Sequence, residues 1–292
     1  MTYREAYFKY LKLEDKYLNK TAIKSILLDD GKFADFSNLI RHFDDEVKDE
    51  SKIEEFSNRV KTGEPLQYVL GYAYFVNSNY VVSPDVLIPR QETEELAVGT
   101  LKMIIKMFGR DPNIKIVDIG TGSGILGIYL KEYFPNSEVI CTDISEKCIK
   151  ISQINAKNHN VEIDYRVGNM LEPIIEEKGI SVIVSNPPYI GDEKTVDSQT
   201  LKYEPHLALF AKPKTKYYEE IFKAIDQNLL ADRFLMAFEI GEDMEEELTH
   251  LIENNYMGIM YKFEKDLYGK TRFLYIVKDE TISYEAWRIR IC

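Results

Sequence analysis

At 292 residues with 45% hydrophobic composition, the chain can bury a proper core, is not of a disordered class, and exceeds the ~150 residues of an average domain, so two domains are expected. Its 49 acidic against 37 basic residues give a net charge of −12, which argues against general affinity for nucleic acid, where a basic footprint is expected. Cys141, Cys148 and Cys292 form neither a disulfide framework nor a metal-ligand spacing, the charged N-terminus lacks the apolar core of a signal peptide, and no run approaches the ~20 apolar residues of a membrane span, so a cytoplasmic protein without metal or membrane attachment is expected.

Residues 1–64 read as three or four amphipathic helices. Ala22, Ile23, Ile26 and Leu27 recur at helical spacing, as do Phe36, Leu39, Ile40 and Phe43, and then Ile53, Phe56 and Val60. Residues 65–84 follow as a connector. Its β-rich stretch, Tyr68 to Val82, is predicted to turn at Asn77-Ser78-Asn79 as a hairpin. Val86-Leu87-Ile88-Pro89-Arg90 then leads into a helix over Glu94–Met107, which Thr93 is placed to cap. From Ile114 strands and helices alternate to the end. Strands are predicted at 114–119, 138–144, 161–167, 180–185 and 234–240, and helices at 125–133, 146–158, 216–228 and 243–253. Two last strands, 256–263 and 272–278, have no helix between them. The pattern predicts an α/β domain over residues 85–292, with a mostly parallel sheet, helices on both faces and an antiparallel edge strand.

Three motifs carry chemistry. Strand one ends in Asp118-Ile119-Gly120-Thr121-Gly122-Ser123-Gly124, where alternate glycines permit a tight turn and close approach of backbone to a ligand. Asp143 ends strand two, about 20 residues on, where an acid accepts from ribose hydroxyls. The glycine spacing is neither GxGxxG nor that of a Walker phosphate loop. The buried run Ile180–Val184 ends in Ser185 and then Asn186-Pro187-Pro188-Tyr189. Two prolines donate no backbone hydrogen bonds and hold the chain extended. The Asn186 side-chain oxygen and the Pro187 carbonyl then offer two acceptors for a planar NH2 group, with the Tyr189 ring to pack on it.

Together the glycine loop, the acid and NPPY resemble class I S-adenosylmethionine-dependent methyltransferases, a Rossmann-like fold in which NPPY marks enzymes acting on planar nitrogen. Gly63-Glu64-Pro65-Leu66-Gln67-Tyr68-Val69-Leu70-Gly71, Ile88-Pro89-Arg90-Gln91-Glu92-Thr93-Glu94, Tyr203-Glu204-Pro205, Glu239-Ile240-Gly241 and Asp266-Leu267-Tyr268-Gly269-Lys270-Thr271-Arg272-Phe273 narrow the resemblance to the PrmC/HemK family. Its members methylate the glutamine amide of peptide-chain release factors in translation termination. The resemblance covers about residues 60–278 and implies several things. S-adenosylmethionine would meet Gly120, Thr121, Gly122, Ser123, Gly124, Asp143, Asn169, Met170 and Asn186. The substrate glutamine would meet Asn186, Pro187, Pro188 and Tyr189, with Asn186, Pro187 and Tyr189 catalytic. Residues 1–64 would dock the release factor. The chain differs from the family pattern at Gln91 (usually Pro), Glu242 (usually Gln), Asn169 (usually Asp), Met170 (often aromatic) and in Phe210–Lys214, which lacks the usual glycines. Asn can still hydrogen-bond an adenine ring and Met can pack on it.

The implied reaction is in-line attack of the amide nitrogen on the sulfonium methyl, leaving S-adenosylhomocysteine. No general base is expected, and His42, His159, His206 and His250 read as surface or loop groups. Two rivals share the motifs: a ribosomal-protein glutamine methyltransferase and an adenine-N6 nucleic-acid methyltransferase. The Ile88–Glu94 segment argues against the first, and the acidic balance against the second. A non-catalytic interaction protein on the same fold is disfavoured by the intact glycines, Asp143 and NPPY.

Overall fold

A computed structural model describes residues 1–281, so Cys292 and the end of the expected 85–292 domain lie outside the described residues. The chain divides into two compact units. The first comprises Met1–Tyr72 together with Asp197–Tyr203. It holds α1 (Tyr3–Leu11), α2 (Lys20–Gly31), α3 (Phe36–Arg41), α4 (Glu50–Lys61) and α5 (Leu66–Leu70). Local chemistry starts these helices. Thr2 and Glu5 form a reciprocal capping box on α1, and Asn19 accepts from the backbone N–H groups of Thr21 and Ala22 to open α2. Tyr3, Leu18, Ile23, Ile26, Leu27, Leu39, Ile53 and Val60 are buried together, each fully buried Leu or Ile contributing about 1.5–3 kcal/mol. Buried Asp30 accepts from the Tyr3 hydroxyl at 2.7 Å and from the N–H groups of Lys48 and Asp49, both at 2.9 Å. It thus satisfies the backbone donors of the chain entering α4. Tyr68, expected in a strand, lies in the one-turn α5, which Gly71 ends in the left-handed region at φ 81°.

The returning segment was not foreseen. Gln199 Nε2 donates to the Gly63 carbonyl at 2.8 Å and the Tyr203 hydroxyl to the Thr62 carbonyl at 3.1 Å. Residues some 140 positions apart in sequence thus share this unit.

The second unit, Ala73–Val196 with Glu204–Cys292, opens with the hairpin of β1 (Tyr72–Phe75) and β2 (Ser78–Val81). Its turn is Val76-Asn77, one residue earlier than expected, with Val76 at φ 55°. Then come α6 (Gln91–Phe108), β3 (Lys115–Ile119), α7 (Ile125–Tyr133), β4 (Glu138–Asp143), α8 (Glu146–Asn158), β5 (Asp164–Val167) and β6 (Ile180–Ser185). After α9 (Ser198–Tyr203), which belongs to the first unit, follow α10 (Lys216–Asp226), β7 (Leu230–Glu239), α11 (Glu245–Asn255), β8 (Met260–Lys265) and β9 (Thr271–Lys278).

The seven-stranded sheet has the order β5-β4-β3-β6-β7-β9-β8. The first five strands pair in parallel. The antiparallel element expected at the edge is β9, which runs against both β7 and β8 and lies one place in from the margin that β8 forms. Every residue of β6 is buried, as a central parallel strand covered on both faces must be. Side chains alternate between two core layers. Ile116, Val182, Val184, Leu235 and Ala237 meet apolar residues of α6 and α7. Val117, Ile183, Phe234, Met236 and Phe238 meet Tyr218, Ile221 and Phe222 of α10 and Leu248 and Ile252 of α11. This doubly wound layering brings the C-terminal ends of β4, β3, β6 and β7 side by side, at the point where strand order reverses and such folds bind ligands.

Candidate active site

A cavity of about 180 Å³ opens at those strand ends. All its lining residues belong to the second unit. One side is the turn after β3. Gly120, Gly122 and Gly124 have φ of 70°, 56° and 86°, in the left-handed region that side chains disfavour. At Gly124 space is also short, since an added Cβ would stand 2.0 Å from the Ser152 Oγ. The turn is pinned from behind. The Thr142 carbonyl accepts from the N–H groups of Gly120 and Thr121, both at 2.9 Å, and the Thr121 hydroxyl donates to Asp118 Oδ2 at 2.6 Å. Asp118 also accepts from the Gly127 N–H at 3.0 Å. Its complete burial pushes its carboxyl up to about 6, although those two donors pull the other way.

Asp143, at the end of β4, lines the cavity. Its Oδ2 accepts from the Gly122 N–H and its Oδ1 from the Ser145 N–H, both at 2.9 Å. Two of the roughly four lone-pair positions of a carboxylate are thereby used and the Cys148 thiol also bonds to the carboxylate, which leaves acceptor capacity for a hydroxyl-bearing ligand. Burial raises the Asp143 carboxyl above the ordinary aspartate range, and these N–H donors oppose that rise. Ser145 is the N-cap of α8, accepting from the Cys148 N–H, so Asp143 is free of the capping task. Asn169 and Met170 also line the cavity, as do Ser123, Leu87, Pro89, Ile144, Leu207 and Ala208. An acceptor carboxylate, an amide and a methionine among apolar walls match the chemistry of an adenosyl group: hydroxyls, a ring with hydrogen-bonding edges and flat apolar faces.

At the other side stand Asn186, Pro187 and Pro188, directly after β6. The Asn186 Nδ2 donates to the Thr93 Oγ1 at 3.1 Å. Thr93 is buried and in turn donates to Glu239 Oε2 at 2.7 Å. The other Glu239 oxygen accepts from the Tyr189 hydroxyl at 3.0 Å. Tyr189 is therefore joined to this group through its hydroxyl. Its half-buried ring packs against the core layer below the sheet and is not among the described residues lining the cavity. Glu239 is completely buried. Desolvation raises its carboxyl, while the bonds from Thr93 and Tyr189 oppose the rise. Burial, and then the charge of Glu239, push the Tyr189 phenol upward.

Two residues of this group escaped the sequence reading. Thr93, expected as a helix cap, lies within the first turn of α6, which starts at Gln91 after Arg90. Glu239 entered only as part of a motif. The available signal was a carboxylate closing the apolar run Phe234–Phe238, since such a group is seldom buried without a task. Arg90 and Glu204 also meet across 114 positions as an ion pair, and Glu204 Oε2 accepts from the Ile88 N–H at 3.2 Å. This joins the segments that carry Pro89 and Pro205, both lining the cavity. Of the histidines, His159 lies in the turn after α8, a loop position as expected, with its side chain largely covered. It stacks on Tyr80 with ring centroids 4.2 Å apart and faces Glu132 at 3.0 Å.

The model of the methyltransferase small domain matches residues 93–203. Over 221 residues the chain is 35% identical to the release factor glutamine methyltransferase of Flavobacterium psychrophilum, covering 74% of this chain and 76% of that one. It is 37% identical over 222 residues to the enzyme of the same name from Staphylococcus aureus, covering 74% and 77%. Among solved structures, the hMettl16 catalytic domain superposes with a TM-score of 0.54 at 12% identity, covering 85% of this chain and 93% of that one, a likeness of fold.

Proposed function

Because the chain belongs to the release factor glutamine methyltransferase family, we propose that it methylates the side-chain amide nitrogen of a glutamine in peptide-chain release factors, with S-adenosylmethionine as donor. The observation that carries this reading is Asn186 at the cavity, its NH2 tied back to Thr93 and its oxygen left to accept. Bound beside Gly120–Gly124, Asp143, Asn169 and Met170, S-adenosylmethionine supplies a methyl carbon made electrophilic by its positive sulfur. The rest of the task falls to the chain. An amide nitrogen is a poor nucleophile because its lone pair is shared with the carbonyl. Asn186 Oδ1 and the Pro187 carbonyl orient it by accepting its two hydrogens, and they stabilise the positive charge that develops there. Such orientation and electrostatics supply several kcal/mol of barrier reduction. The proton then leaves to water.

The helical unit contributes no residue to the cavity lining, and we assign it the docking of the release factor. A cytoplasmic setting is supported by the free thiols Cys141 and Cys148 and by the absence, among the described residues, of any helix long and apolar enough to cross a membrane. The test is incubation with methyl-labelled S-adenosylmethionine and, separately, a release factor, a ribosomal-protein fraction and DNA. Label on the release factor, lost when its acceptor glutamine is replaced, is the expected result. Label confined to ribosomal protein or DNA overturns the reading.

A further inference from the structure

We infer that Glu239 is a positioning residue that sets, through the Thr93 hydroxyl, which way the Asn186 amide faces. The inference rests on the reading of Asn186 as the acceptor of the substrate NH2. The two faces of an asparagine amide are nearly the same shape and opposite in hydrogen-bonding sense, so its neighbours decide its orientation. Here the decision begins at Glu239, whose carboxylate when ionised can only accept. Both Glu239 oxygens are engaged, Oε2 by Thr93 and Oε1 by Tyr189. Thr93 has one hydroxyl hydrogen and spends it on Glu239, so toward Asn186 it can only accept. Asn186 must then turn its NH2 to Thr93 and its oxygen to the cavity. Reversing the first link reverses the last. A protonated Glu239 can donate to Thr93, whose hydrogen then points at Asn186 and draws the amide oxygen inward. The cavity would then be met by an NH2 group, which repels the NH2 of a substrate amide.

The surroundings of Glu239 are apolar enough for this polarity to matter. Tyr218 of α10 donates to the Glu239 backbone carbonyl at 2.7 Å. Glu92 of α6, whose negative charge favours the protonated form, and the Tyr189 phenol face the carboxylate, as does Arg272 of β9, whose positive charge favours the ionised form. Burial is the larger influence and moves the Glu239 carboxyl upward. The acid limb of turnover therefore falls at a higher pH than an ordinary glutamate would give, with the rate lost as pH drops and Glu239 gains its proton.

Thr93→Val keeps the shape and removes the hydroxyl, whereas Thr93→Ser keeps the hydroxyl. Steady-state methylation and calorimetric S-adenosylmethionine binding are measured for both, and the pH profile of kcat is compared between wild type and Glu239→Gln. Expected are a kcat about 10–100-fold lower in Thr93→Val with cofactor Kd within about twofold, recovery of most of that loss in Thr93→Ser, and disappearance of the wild-type acid limb in Glu239→Gln. A Thr93→Val kcat within about twofold of wild type, or an acid limb unchanged in Glu239→Gln, overturns the inference. If the wild type methylates an acceptor other than a release factor, the proposed function fails and the same ratios decide the inference on that acceptor. If it methylates none, NMR of protein labelled with 15N-asparagine still decides. The Asn186 NH2, assigned with Asn186→Asp, should exchange with water at least about tenfold faster in Thr93→Val, and equal rates overturn the inference.

Discussion

At one end of the cavity, the consecutive residues Gly120–Ser123 of the glycine turn form the wall. At the other, Asn186 and Thr93 make it, held by side-chain hydrogen bonds that run on to Glu239 behind them, across separations of 93 and 146 positions. The first end is a conformation, specified where it stands by three positive φ angles. The second is a polarity, specified only once the sheet has brought the ends of β6 and β7 beside the start of α6. The two ends should therefore fail differently. Damage to the glycine turn should appear as lost stability and lost cofactor, whereas damage to the cage should appear as lost turnover in an enzyme that still folds and binds its cofactor.

The largest expected effect is Asn186→Ala, which removes the acceptor proposed to meet charge that develops only during reaction. We expect kcat to fall about 10³-fold, roughly 4 kcal/mol, with S-adenosylmethionine affinity kept within a few-fold. Equal losses in kcat and in calorimetric affinity would erase the distinction between the two ends. Gly124→Ala tests the other end. Its φ of 86° and an added Cβ 2.0 Å from the Ser152 Oγ combine backbone strain with overpacking, together about 3 kcal/mol of stability. Gly122→Ala is its control. The φ is 56° and nothing lies within 4 Å of the new carbon, so urea unfolding should show only about 1 kcal/mol of loss, from strain alone.

The same contrast explains what the sequence disclosed. The limits of α7, α8 and β6 were readable because each is set locally: Gly124 before α7, the Ser145 cap before α8, and Asn186-Pro187-Pro188 after β6. The glycine loop and Asp143 were readable for the same reason, since strand-turn-helix geometry fixes their spacing. Thr93 was not. At the start of a helix its hydroxyl has an ordinary local use, and only the approach of Glu239 gives it another. The returning segment Asp197–Tyr203 was hidden in the same way. Its bonds to Thr62 and Gly63 link positions whose nearness no local pattern records. Val76 shows the reverse case, since a β-branched residue at φ 55° is a poor turn former and drew the expected turn one residue too far along the chain.

Asp118 sharpens the comparison from behind the glycine turn. Its folded carboxyl stands at about 6, above the ordinary aspartate value of 3.8. The stability it contributes is therefore fully present below about pH 4 and lost as pH rises through about 6, a difference of about 3 kcal/mol. Asp118→Asn cannot ionise. Denaturant midpoints at pH 4.5 and 7.5 should therefore differ less in Asp118→Asn than in wild type. An unchanged difference would mean that another group carries this part of the pH dependence.

Asp143 is the smallest test and the one that joins the two kinds of construction. It is a side chain, like those of the cage, yet it serves the glycine turn by holding the Gly122 N–H. Asp143→Ala removes the acceptor for Gly122 and Ser145 together with the lone pairs proposed to meet a ribose. We expect S-adenosylmethionine Kd to rise about 10–50-fold, near 2 kcal/mol. Asp143→Asn keeps one oxygen but turns an NH2 toward one of the two N–H groups, so that donor faces donor in a buried place. It should recover little of the loss. Full recovery in Asp143→Asn would mean that a single acceptor suffices and that the second contact only fills space. At saturating cofactor both variants should turn over at close to the wild-type kcat, because Asn186, Thr93 and Glu239 are untouched. A kcat that falls in step with affinity would show that the glycine turn and the cage are mechanically one object.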